Sequence, residues 1–301
     1  MPVVDWMSIM KREEPSVTTK FNSSLIRHYE DVAHLDKGLH RYFSADTGAE
    51  KLLFFGSRHV RDVTDPMFRE ICSLADSARP DLMFVEGLQG LRRLAPALQR
   101  AELLQDIGSK SMAEVVCRYG ERGFAIRYAL ERNIQVECPE PDFCQEIKHI
   151  VRQGFSRDAV IGYYVYRMVH QWLNSPSVPD IETYLKPTIE ELRHLTGWND
   201  YDWSFETIAS LSEMFWHVRL KLDDPQFYLT GIAPFTTRMD SSATEINHVS
   251  ATSAFYRDQA IAEEIVSAIG RAKSIFVVFG SGHSFTLEEA LKAAFTGEIE
   301  A

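Results

Sequence analysis

Two stretches of the chain, Lys51–His59 (KLLFFGSRH) and Ser274–His283 (SIFVVFGSGH), share one pattern: a short apolar run closed by Gly-Ser-x-His. An unbroken apolar run of this length, ended by glycine, reads as a strand buried on both faces. Such strands belong to mainly parallel sheets covered by helices on either side. The pair therefore predicts an α/β fold before any other feature is considered.

The intervening chain agrees. Asp65-Pro66 has the form of a helix start, with Asp as N-cap and Pro at the first helical position. Phe68, Ile71, Leu74 and Ala75 give that helix an apolar stripe. Arg79-Pro80-Asp81 ends it, and Leu82–Val85 is a further buried strand, followed at once by Glu86-Gly87. Strand, helix, strand in this order predicts a right-handed βαβ unit whose strands are neighbours. Leu39–Phe43, followed by the Asp-x-Gly of Ala45–Glu50, predicts a hairpin onto the first buried strand. Ala95–Gln105 and Ser111–Arg132 read as helices, and Ile134–Cys138 as a strand running into Pro139-Glu140-Pro141-Asp142.

Residues 156–222 contain no strand pattern. Helices are predicted near Arg157–Leu173, Ile181–Leu195 and Phe205–Leu222, forming an all-helical insertion or lid over the sheet. Residues 234–250 read as loop, Ala254–Ile269 as a helix, Gly280–His283 as a loop, and Thr286–Ala294 as a closing helix. Residues 1–35 read as a surface arm or short helix. The expectation is a single α/β domain over 1–301, with its sheet core in 36–150 and 251–301.

Composition sets the outer limits. A chain of 301 residues that is 45% hydrophobic and 25% charged can bury an ordinary core. A net charge of −11 speaks against a nucleic-acid surface, which shows a basic patch or stripe. The four cysteines form no CxxC pair and read as reduced thiols. No basic-then-apolar leader opens the chain, and no apolar run approaches the ~20 residues needed to span a bilayer. The expectation is a cytoplasmic protein with no membrane partner, acting on a small molecule or peptide. A homo-oligomer is compatible with this composition.

Ligands of parallel sheets bind outside the carboxyl ends of the strands. His59, Glu86, Glu140 and His283 each follow a predicted strand, so they are expected at one edge. A glycine before each histidine lets the backbone turn sharply and approach a ligand closely. Two imidazoles and a carboxylate, His59, His283 and Glu86, form a common catalytic metal set for a divalent Mn, Co or Zn ion. Such an ion acidifies a bound water and polarises a carbonyl. The metal-free alternative makes His59 or His283 a general base, with Glu86 orienting or deprotonating the water. Ser57 and Ser281 lie in no G-x-S-x-G elbow and are not expected as nucleophiles. Together with Arg58 and Glu140 they are expected as contacts to substrate. His40, His149, His170, His194, His217 and His248 show no ligand-like spacing.

Four pieces, FFGSRH (Phe54–His59), RPDLMFVEG (Arg79–Gly87), YRDQAIAEEI (Tyr256–Ile265) and VVFGSGH (Val277–His283), occur in a familiar order. In this the chain resembles the TraB/Tiki-type hydrolase superfamily, with its ChaN-like and erythromycin-esterase-like members. The resemblance covers roughly 51–87 and 254–294 and implies an α/β fold with a site built from His59, Glu86, Arg257 and His283. It implies a hydrolase of a peptide, amide or ester bond, metal-dependent in Tiki-type members, with Arg257 facing the developing oxyanion. Erythromycin-esterase-like members hydrolyse a lactone, whereas ChaN-like members bind haem. The alternative implied here is therefore a non-catalytic pocket for a haem-like or nucleotide ligand.

Overall fold

The computed structural model describes residues 21–93, 95–173 and 180–297. Its centre is a five-stranded sheet of β1 (Arg41–Asp46), β2 (Lys51–Ser57), β3 (Leu82–Val85), β4 (Gln135–Glu137) and β5 (Ser274–Gly280). The spatial order is β1-β2-β5-β3-β4, with β1 antiparallel to β2 and every other pairing parallel. The α/β class and the β1–β2 hairpin follow the sequence expectation.

The neighbour relation of β2 and β3 does not. The two strands are parallel, but β5 lies between them, pairing Ser57 with Gly280 on one side and Val85 with Val278 on the other. The reason is burial: every residue of β5 after Ser274 is buried, and only a central position covers both faces and both edges of such a strand. The late strand therefore lands beside the early one, and the two Gly-Ser-x-His segments leave the sheet side by side.

The helices are α1 (Tyr29–Val32), α2 (Pro66–Ala78), α3 (Ala97–Ser109), α4 (Met112–Glu131), α5 (Phe143–Arg152) and α6 (Arg157–Leu173). After them come α7 (Ile181–Thr196), α8 (Phe205–Trp216), α9 (Pro225–Gly231), α10 (Glu245–Ser267), α11 (Ser281–Thr286) and α12 (Glu288–Thr296). The Asp65 side chain accepts the Met67 N–H at 2.9 Å and caps α2, as its Asp-Pro start predicts.

Alternation along the strands sorts their side chains onto two faces. Phe54, Phe84 and Val277 pack with Ile261 and Ile265 of α10 and Leu291 of α12; Phe55, Met83 and Phe276 pack with Ile71 of α2 and Val115 of α4. A third core forms among α5 to α9 and the start of α10, with Ile147, Tyr166, Leu185 and Tyr228 inside it.

Residues 156–222 contain no strand among the described residues, and α6 spans Arg157–Leu173 as expected. The third helix of that region stops at Trp216 rather than Leu222, where His217 takes a left-handed φ of 56°. Helices α5, α9 and α11 escaped the sequence pattern, and α10 starts before its expected Ala254. Asp142, expected within a polar turn, is the N-cap of α5, accepting from the Cys144 N–H at 2.8 Å. Residues 234–250 are not all loop: α10 begins at Glu245, closed by a capping box of Thr244 and Asn247. The extra turns let α10 join two cores, with Ile246 and Val249 in the helical one and Ile261 and Ile265 in the sheet one. Arg257 and Asp258 sit at the junction, well inside the helix. Gly280–His283 is likewise not a loop: Gly280 caps α11 and His283 lies in its first turn. Of the expected N-terminal arm, 1–20 lies outside the described residues, and α1 occupies part of the rest. Among the described residues no helix is long and apolar enough to cross a membrane.

Candidate active site

Parallel pairing of β2, β5 and β3 carries Ser57, Gly280 and Val85 to the same sheet edge. Glu86, the first residue past β3, is the centre of what collects there. Its Oε2 accepts the Gly280 N–H at 2.7 Å, and its Oε1 lies 3.8 Å from both Arg257 Nη2 and His283 Nε2. A methyl group built on Gly280 would stand 3.2 Å from Glu86 Oε2 and 3.5 Å from His59 Nε2, so both side chains come close to one point beside Gly280. The four residues expected at the site thus converge.

Each histidine is held from behind. His59 Nδ1 is 2.7 Å from Glu121 Oε1, and His283 Nδ1 is 2.5 Å from Asp258 Oδ1. Both carboxylates are buried, whereas the His59 side chain is 74% exposed at the mouth of the site. A carboxylate on Nδ1 fixes ring orientation and leaves Nε2 for chemistry. Arg257 is engaged by Glu140, which also accepts the Gly87 N–H, so Glu140 braces the arginine and the β3 turn together.

The other expected contacts serve the scaffold. Ser57 is buried and donates to the Phe279 carbonyl at 2.9 Å, tying β2 to β5. The Arg58 guanidinium forks onto Asp65 at 3.0 and 2.9 Å. Ser281 donates to Asp36 at 3.1 and 3.2 Å.

Sequence reading missed Glu121 and Asp258. Asp258 was in view, directly after Arg257, but only the helix shows that it meets His283. Glu121 had a subtler signal, a glycine inside a helical pattern. Gly120 breaks α4 with φ 64° and ψ −148°, a conformation open essentially only to glycine, and the break brings Glu121 under His59. Gly120→Ala is expected to destabilise the protein by about 1–3 kcal/mol and to loosen His59, read as a lower Tm. An unchanged Tm would show that the kink carries no strain.

The charges oppose one another strongly. Burial pushes the Glu86 carboxyl up, but His283, His59, Arg257 and the Gly280 N–H outweigh it, and its pKa falls below the usual 4.5. The hydrogen bond to Glu121 leads in raising His59 from 6.5 to about 9, with the charges of Glu86 and Glu121 assisting against burial. Burial lowers His283, but the charge and hydrogen bond of Asp258 reverse the balance and raise it. At neutral pH the His59 imidazole is therefore protonated beside an ionised Glu86, and Asp258 favours the charged form of His283.

A histidine bonded through Nδ1 to a carboxylate is also the usual support of a metal ligand. Among the described residues, however, no three His, Cys, Asp or Glu side chains are gathered closely enough to hold a metal ion. Gly280 has an ordinary φ of −54°, so Gly280→Ala costs little in the backbone. Its methyl comes close to both Glu86 and His59. At 3.2 Å from the methyl the Glu86 carboxylate must give way, so any reaction that uses Glu86 and His59 together is expected to slow at least about tenfold; an unchanged rate would place such a reaction elsewhere.

No family model, curated protein or solved structure matches the chain.

Proposed function

We propose that the chain is a hydrolase of an ester, amide or peptide bond in a small molecule or peptide. The observation that supports this most is the approach of Glu86 Oε2 and His59 Nε2 to one point beside Gly280. In this reading a water lies there, oriented by Glu86, and neutral His59 takes its proton through Nε2 as the water attacks the carbonyl carbon. Glu121 holds the imidazolium that forms. Arg257 faces the developing oxyanion, a role worth about 3–4 kcal/mol for one good donor. Protonated His283, kept charged by Asp258, passes its Nε2 proton to the leaving group as the C–O or C–N bond breaks. On this reading the chain would join the TraB/Tiki-type hydrolases, a kinship that its four sequence motifs support.

The test is a panel of activated esters, amides and peptides assayed with EDTA and, separately, with Mn²⁺, Co²⁺ or Zn²⁺. Hydrolysis abolished by His59→Ala supports the proposal, and the two arms separate the proton-only version from the metal-dependent one expected from sequence. A protein that hydrolyses nothing in either arm, or a His59→Ala variant at the wild-type rate, overturns it.

A further inference from the structure

A cleft of about 390 Å³, partly open to solvent, is lined by residues of α1, α5 and α10 and by the segment around Thr236. It falls within the range of small-molecule pockets. Two of its walls are built as ring stacks. His28 lies on Phe255 with centroids 4.5 Å apart and planes 13° from parallel, and His149 lies on Tyr256 at 4.2 Å and 19°. Phe255 and Tyr256 share α10 with Arg257 and Asp258. Tyr29, another wall residue, would meet a methyl on Gly282 at 3.1 Å, and Gly282 is next to His283. Cleft and site therefore share two structural walls.

The lining also says what does not fit. Among the described residues it contains no lysine or arginine, so nothing there matches a phosphate or carboxylate. Its single carboxylate, Glu30, already accepts from the Thr236 N–H and hydroxyl, which fixes that wall to α1. Burial, with Arg152 nearby, lowers the pKa of His149, so that wall is an uncharged ring. Aromatic rings with the amides of Gln153 and Gln259 at their edges suit an uncharged planar ring, held by stacking and edge hydrogen bonds.

We propose that this cleft binds an uncharged, ring-bearing group of the ligand, an aromatic or heteroaromatic ring with a polar edge. That the ring belongs to the substrate, flanking the scissile bond, rests on the hydrolase reading; binding itself does not.

The experiment measures binding of 7-methoxycoumarin, indole and adenosine to the full chain by ligand-observed NMR, with 4-methylumbelliferyl phosphate as the charged counterpart. At least one uncharged probe is expected to saturate and to be displaced by another. Ala251→Phe, which adds a ring into the open space, and Tyr256→Ala, which removes one wall, are each expected to weaken it about tenfold, the worth of one aromatic contact. His59→Ala is expected to bind the probe as the wild type does, which separates this result from the fate of the hydrolase reading. Absence of saturable binding by any uncharged probe, wild-type affinity in both cleft variants, or preference for the phosphate overturns the proposal.

Discussion

His59→Ala is expected to lower kcat/KM on the best ester or amide substrate by roughly 10²–10⁴-fold, the usual contribution of a positioned general base. Its Tm should also fall at neutral pH, because the substitution leaves the buried Glu121 carboxylate without its protonated partner. The pH profile adds a sharper signature. In the proposed mechanism His59 works as a base only when neutral, and its pKa is raised to about 9. Activity should therefore rise with pH on a limb centred near 9. Stability runs the other way: a raised folded-state pKa stabilises the protein fully below the ordinary value of 6.5, and the contribution is lost as pH climbs through about 9. Glu121→Gln removes the leading cause of the shift, so its activity limb should move towards lower pH while its maximum falls. A limb that stays in place in Glu121→Gln would show that another group sets it.

Arg257→Ala is the second large effect, and it should appear first in stability. The guanidinium is 19% exposed and lies against Glu140 and Glu86, themselves 10% and 17% exposed. Removing it leaves two largely buried carboxylates facing each other without their cation. Breaking a buried ion pair from one side costs about 3–5 kcal/mol, a large part of the roughly 5–15 kcal/mol that holds a typical domain together. A second substitution separates structure from chemistry. Arg257→Ala with Glu140→Gln removes one of the stranded charges and should regain much of the lost stability, yet hydrolysis should remain low because nothing faces the oxyanion. If the double variant regains activity along with Tm, Arg257 is a structural cation only.

The positions of His59, Glu86 and His283 were legible because each stands just past an apolar run that can only be a buried strand. One edge of a parallel sheet then gathers all three, whatever the strand order. Arg257 came from the motif resemblance; its place well inside α10 depended on residues 245–253, whose polar composition reads as loop until Thr244 and Asn247 cap them. Asp142 was hidden likewise, since an N-cap aspartate and a turn aspartate look alike until the helix behind it is packed.

By itself the sequence determined the α/β class, the strand ends and the histidines and glutamate that follow them, because burial period and glycine breaks are local properties. Only the tertiary structure decided that β5 parts β2 from β3, that Glu121 and Asp258 stand behind the two histidines, and that α10 spans two cores with Arg257 at their junction. Those facts depend on which apolar surface covers which, a competition among distant segments. The 62 residues from His59 to Glu121 and the 194 from Glu86 to Gly280 are separations that no local pattern encodes.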